Sequence, residues 1–168
     1  MRLFLVLVLM AVTTALTMVV RIPIPATGGY LNFGDMSVVF CGLMLGGRWG
    51  SVAGGVGSAA ADVLGGFVAF APITLIAKGL EAAIVGTLGK KHLLWVFPAV
   101  LAMVAVYFFA EIFMPGMGLA PALAEIPANV IQAIVGGIGG ISLYKAVISA
   151  LPEVNRNVDP NISKKPTD

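Results

Sequence analysis

The chain has 168 residues, 59% of them hydrophobic and only 11% charged, with a mean hydropathy of +1.01. Soluble domains carry about a quarter charged residues, so water is excluded as the solvent for most of this surface, and an oily soluble helical protein is the weaker alternative given the length of the apolar runs. The formal net charge of +2 comes without a basic cluster outside the loops and tail, which argues against a nucleic-acid partner.

The first element runs from Leu3 to Val20. One Arg followed by a long apolar stretch resembles a secretory signal, but the run exceeds the usual apolar core and no persuasive small-residue cleavage site follows it. It is read as a retained first transmembrane helix. Five further apolar segments are predicted at Met36–Leu45, Gly50–Leu64, Ala71–Leu88, Leu93–Phe113 and Pro127–Leu151. At about 1.5 Å per residue, the first, fourth, fifth and sixth can cross roughly 30 Å of hydrocarbon. The second and third are short, and two readings compete. They are either two short helices joined at GGRWG or one broken re-entrant element, tolerated only where it lines a cavity rather than faces lipid. Two helices are preferred, giving an all-α, six-helix membrane domain over residues 1–151. The polar, Pro/Asn/Lys-rich stretch 152–168 is expected to be a flexible tail. Cys41, the sole cysteine, lies in an apolar run as a small packing residue.

Between the first two segments lies GGYLNFGDM, residues 28–36. It combines backbone freedom, aromatic surface and hydrogen-bonding groups, the materials of a lid over a binding site. Gly28 and Gly29 allow the chain to fold over a ligand, Tyr30 and Phe33 supply apolar cover, and Asn32 or Asp35 offers a hydrogen bond. Such a lid is expected to be mobile when empty and ordered when loaded.

Charge sets the orientation. With six spans, Arg2, Arg48, Lys90, Lys91, Lys145, Arg156, Lys164 and Lys165 fall on the side of both termini, against Arg21 alone opposite. The asymmetry places both termini in the cytoplasm and the 28–36 loop outside. Trp49 and Trp95 fall near segment ends, as interfacial aromatics do.

Small residues are concentrated in GGRWGSVAGGVGSAAADVLGG and at Gly136, Gly137, Gly139 and Gly140. They allow close helix packing. Ala11 and Ala15 lie four apart on one face of the first helix, a common spacing that carries little weight alone.

Asp, Glu and Lys within membrane segments cost several kcal/mol unpaired, which makes them functional candidates. Asp62 ends the third segment. Lys78 and Glu81 lie three apart on the fourth, Tyr107 and Glu111 four apart on the fifth, and Asn129 and Gln132 three apart on the sixth. With Tyr30, Asn32 and Asp35, these groups can converge beneath the outer loop in a concave, partly aromatic cavity. Plainer readings stand beside this one. Lys78 and Glu81 can neutralise each other as a structural pair; Asp62 and Asp35 can cap helix ends or face water; Asn129 and Gln132 can bond between helices only. Glu125, before Pro127, is expected in a solvated loop, and His92 is read as a plain loop residue.

The succession from GGYLNFGD through GSAAADVL and IAKGLEAAIVG to IPANVIQAIVGG resembles the substrate-specificity (S) subunits of energy-coupling factor transporters, over about residues 8–150. It looks closest to the branch labelled riboflavin-type, which also holds pyridoxine and hydroxymethylpyrimidine carriers. The resemblance implies a six-helix prokaryotic plasma-membrane protein that binds a vitamin from outside, beneath the loop joining the first two helices. It implies a membrane coupling subunit and two ATP-binding subunits as partners, with toppling in the bilayer to release the substrate inward. The Ala-x-x-x-Ala contact to the coupling subunit in that family is matched here by Ala11 and Ala15.

The chain contains no phosphate-cradling loop with GKS or GKT, so energy must come from elsewhere. One His and one Cys supply neither a catalytic set nor a metal cluster; no enzyme activity, cofactor or metal is expected. Both charge signs, several amides and nearby aromatics (Tyr30, Phe33, Phe70, Tyr107) suit a small hydroxylated nitrogen heterocycle, with pyridoxine, pyridoxal or a hydroxymethylpyrimidine preferred and riboflavin as runner-up. Without an Arg cluster, nucleotides and folate-like ligands are disfavoured. Two other classes remain: a membrane scaffold whose polar residues only lock helices together, and a solitary secondary transporter, disfavoured by the lack of an inverted repeat.

Overall fold

The polar and apolar residues are arranged inside out. In the computed structural model, which describes residues 2–19, 21–25 and 28–151, large apolar side chains such as Phe4, Leu7, Ile76, Leu94, Phe109, Phe113, Ile131 and Ile138 face outward. Lys78, Glu81, Asp35 and Glu111 are at most 2% exposed. A water-soluble protein does the reverse; this distribution is that of a chain whose solvent is lipid. The tail 152–168, expected to be flexible, lies outside the described residues.

Among the described residues the chain forms six helices. Helix α1 (Arg2–Val19) is followed by a β-hairpin, with β1 (Arg21–Ile24) antiparallel to β2 (Gly29–Asn32) in the register Arg21↔Asn32 and Ile24↔Gly29. Helix α2 (Gly34–Leu45) comes next. Helix α3 spans 47–64 without interruption, as Gly47–Ser51, a π-helical stretch Val52–Val56 and Gly57–Leu64. Helix α4 (Ala71–Gly89) ends in a π-helical turn, α5 occupies Val96–Phe113 after a short 3₁₀ turn, and α6 runs over Leu119–Ala150. Four of these are long and apolar enough to cross a membrane: α1, α4, α5 with its preceding turn, and α6.

The shortness of α2 has a physical reason. Its 12 residues rise about 18 Å, too little for the hydrocarbon core. But every residue except Met36 is buried, because α1, α3, α4 and α6 surround it. A helix enclosed by protein need not match the bilayer, and one that is apolar all round belongs at the centre. It starts where the Asn32 side chain accepts from the Gly34 N–H at 2.7 Å. It stops at Gly46, whose φ of +82° suits glycine. The chain then turns back antiparallel as α3, so a Cβ on Gly50 would lie 2.7 Å from the Cα of Gly42. The two-helix reading of this region therefore holds, and the break is Gly46.

The last helix departs from expectation. It begins at Leu119, well before Pro127, and carries that proline inside. Pro127 forfeits one backbone hydrogen bond, which a membrane helix with packed neighbours tolerates. Glu125 is consequently a helix residue, 4% exposed, and not a solvated loop residue. At 32 residues the helix is about 48 Å long, so it tilts or projects beyond the hydrocarbon. Its glycine face meets α2 closely: a Cβ on Gly140 would come within 2.6 Å of Val39 Cβ, and one on Gly136 would collide with Asp35. The packing that holds α2 thus depends on missing side chains.

Candidate functional site

At the hairpin end of the bundle, five helices and the hairpin leave a polar chamber. Its walls come from Thr17 (α1), Tyr30 and Asn32 (β2), Ser58 and Asp62 (α3), Phe67 and Phe70 of the connection, Thr74 and Lys78 (α4), Tyr107 and Glu111 (α5), and Glu125, Asn129 and Gln132 (α6). The atom-free space is about 460 Å³ including the mouth.

The floor is an ionic network. Lys78 reaches across from α4 to hydrogen-bond Asp35 at the N-terminus of α2, and its Nζ is 3.8 Å from Glu81 Oε2 one turn along. Gln132 Nε2 donates to the second Asp35 oxygen at 3.0 Å, while its Oε1 accepts from the Asn32 backbone N–H at 2.7 Å. A carboxylate in the first turn of a helix also faces the positive end of its dipole. Asp35 is therefore compensated by an ammonium, an amide and a helix end, which permits a charge at 0% exposure. The main partner of Lys78 is Asp35, across helices, rather than Glu81 on its own helix. One chain of polar contacts joins α2, α4, α6 and β2.

The roof is held by a second set. Tyr30 donates to Asp62 Oδ1 at 2.6 Å, which fastens the hairpin to α3. The Tyr30 ring packs 4.5 Å from that of Phe67, and the Arg21 guanidinium lies 4.7 Å from the first and 5.4 Å from the second. Arg21 Nη2 also donates to the Ala61 carbonyl at 3.0 Å. Burial first, and then Asp62, push the Tyr30 phenol up, with Arg21 opposing; the phenol stays a donor across the physiological range. Deeper in, Thr74 and the Tyr107 hydroxyl are 2.8 Å apart, and Lys78 Nζ sits 5.6 Å from the Tyr107 ring centroid.

Of the residues singled out in the sequence, Tyr30, Asn32, Asp62, Lys78, Tyr107, Glu111, Asn129 and Gln132 line this one chamber. Asp35 and Glu81 do not line it; they sit beneath, in contact with Lys78. Phe33 is exposed and faces a separate apolar pocket with Ile22, Leu31 and Met36. Sequence reasoning missed Thr17, Ser58, Phe67, Thr74 and Glu125. The signal for several was a helical stripe: Ser58 precedes Asp62 by four, Thr74 precedes Lys78 by four, and Glu125, Asn129 and Gln132 fall at i, i+4 and i+7. Ala11 and Ala15 are exposed on the outer face of α1, away from the chamber.

A multi-pass bundle with a polar chamber enclosed at one end, beneath a hairpin, defines a membrane protein built to hold a small polar molecule. The chain belongs to the ECF-type riboflavin transporter, S component family, whose model matches residues 2–149. It is thus a substrate-binding subunit of a vitamin transporter of this kind, which works with membrane coupling and ATPase subunits. It is also similar to an "Uncharacterized protein in gap 3'region" of Pyrococcus woesei, 41% identical over 133 residues, which make up 76% of this chain and 88% of the relative.

Proposed function

We propose that the chamber captures a small hydroxylated nitrogen heterocycle, of the pyridoxine, pyridoxal or hydroxymethylpyrimidine type, and that the protein performs no catalysis itself. In this reading the ring stacks among Tyr30, Phe67, Phe70 and Tyr107, while Asn129, Asp62 and Lys78 hydrogen-bond its substituents. The observation that carries it is the convergence of polar side chains from separate helices on one chamber. The loop charges support an orientation with both termini in the cytoplasm of a prokaryotic cell, so that the hairpin faces outward. A coupling subunit and two ATP-binding subunits would then deliver the cargo inward, with Ala11 and Ala15 as the contact.

A riboflavin cargo is the second reading, favoured by the description of the matching family. Native mass spectrometry of the purified protein, with release and identification of the retained small molecule, separates the two. A mass matching a single-ring vitamin supports the first; a retained flavin, yellow and fluorescent, overturns it. Asn129→Ala and Asp62→Ala are each expected to abolish retention without loss of folded protein.

A further inference from the structure

One hydroxyl on the chamber wall has no internal partner. Ser58 is 1% exposed, lines the chamber from α3, and its Oγ makes no hydrogen bond among the described residues. The other buried Ser and Thr hydroxyls are matched: Thr13 with Ser37, Thr17 with the Thr13 carbonyl, and Thr74 with Tyr107. A hydroxyl on a helix can satisfy its proton on the carbonyl four residues back, as Thr13, Thr14, Thr17, Thr87 and Ser142 all do here. Ser58 does not take that outlet. The carbonyl in question, that of Gly54, lies in the π-helical stretch Val52–Val56 and already receives the Gly57 N–H. Widened turns of this kind recur at functional sites. A buried hydroxyl proton without an acceptor is costly, which points to a partner that arrives from outside the fold. Asp62 stands one turn further along the same face of α3 and lines the same chamber. It accepts from Tyr30 through Oδ1, and a carboxylate has lone pairs for several donors.

We infer that Ser58 and Asp62 together read one hydroxyl group of the cargo, with Ser58 donating to its oxygen and Asp62 accepting its proton. This rests on the vitamin-binding reading above and gives it a specificity determinant. Side chains one turn apart on a helix lie close enough to meet a single group. Which group follows from donor and acceptor capacity. An unprotonated ring nitrogen would accept from Ser58 but offer Asp62 nothing. An ammonium would satisfy Asp62 and leave the Ser58 proton unmatched. A carboxylate or phosphate would accept from Ser58 only against the repulsion of Asp62. A hydroxyl, alone among these, both accepts and donates at one atom. Ser58 is thus the residue that distinguishes a hydroxylated cargo from its deoxy counterpart. A site built on buried hydrogen-bonding groups rejects an analogue that leaves them unpaired.

Calorimetry on the full-length protein in detergent, washed free of retained cargo, tests this with pyridoxine, a hydroxymethyl aminopyrimidine and riboflavin as probes. For whichever binds, analogues with each hydroxyl replaced in turn by hydrogen are compared on the parent and on Ser58→Ala. One such replacement is expected to weaken binding to the parent by about tenfold or more. Ser58→Ala is expected to weaken the intact probe by about tenfold, yet to bind that one deoxy analogue within about twofold of the parent. Without cargo, Ser58→Ala is expected to unfold at the parent's temperature or above it, because the change removes a buried polar group that nothing satisfied. Any of four results overturns the inference and leaves a vitamin site standing. The first is that no single hydroxyl matters to the parent; the second is that Ser58→Ala binds the intact probe as tightly as the parent does. The third is an equal loss for intact and deoxy probes. The fourth is a cargo-free Ser58→Ala protein that unfolds earlier or fails to fold, which makes the hydroxyl a support of the fold. If none of the three probes binds the parent, the inference and the vitamin-binding reading fall together.

Discussion

Lys78 is the residue on which the floor depends. It is 2% exposed and is compensated by Asp35 and Glu81, both fully buried. Removing one partner from a buried pair leaves an uncompensated charge, which costs about 3–5 kcal/mol. Lys78→Met is therefore expected to lower the thermal unfolding midpoint in detergent sharply, and Lys78→Met combined with Asp35→Asn to recover part of the loss. Equal stability of the single variant and the parent would show that Asp35 carries no charge there. Tyr30 is the corresponding residue of the roof. Tyr30→Phe keeps the ring against Phe67 but deletes the donor to Asp62. Because a hydrogen bond to a charged group is worth about 1.5–3 kcal/mol, cargo retention is expected to weaken by about tenfold or more, read as a faster dissociation rate. The residues of the floor were legible for a simple reason. Charged and amide groups are scarce in this chain, and each one within an apolar run needs a partner. Their partners were less legible: the sequence spacing ties Lys78 to Glu81, whereas folding ties it more closely to Asp35, 43 positions away.

At the scale of elements, run length identified the long helices, since a stretch of 18 or more apolar residues has few alternatives. The helices α2 and α3 were harder, because a short apolar run cannot announce that it will be wrapped by others. The hairpin was legible as a lid but not as strands: RIPIPATGGYLN carries prolines and glycines that ordinarily argue against β structure. A two-stranded ribbon tolerates them because each strand has an unpaired edge. The start of α6 was misread for a related reason, as Pro127 looked like a boundary and drew Glu125 into a loop. The hairpin is fastened partly by Arg21, which lies against Tyr30 and Phe67 and reaches Ala61. That position is open only because residue 65 has no side chain; a Cβ there would collide with the guanidinium. Gly65→Ala is thus expected to displace Arg21 and loosen the hairpin. Proteolysis within residues 21–32 should be faster in this variant without cargo, with α4–α6 still protected. An unchanged cleavage rate would mean that Tyr30 and the backbone pairing suffice to hold the hairpin down.

For the molecule as a whole, the distribution of small residues separates two kinds of surface. Glycines of α3 and α6 are consumed internally, Gly57 against α1, Gly137 against α5 and the others against α2 and α4. Ala11 and Ala15 are not: they lie exposed on α1, flanked by Leu7, Val8, Val12 and Met18, which also face outward. Lipid tails solvate such a face adequately, and association there gains from close helix approach rather than from apolar burial. Small side chains on an outward stripe are therefore a means of admitting another helix. In an S subunit the partner proposed for this face is the membrane coupling subunit. Ala11→Leu with Ala15→Leu should leave the chamber untouched, because both positions project away from it, and cargo binding is expected to stay within about twofold of the parent, as surface changes usually do. Copurification with the coupling and ATP-binding subunits is expected to be lost, together with ATP-dependent uptake into vesicles. Retained assembly with the bulkier residues would move the contact to another face of the bundle. Lost cargo binding would instead make α1 part of the chamber's support, since Thr17 on the same helix reaches the lining.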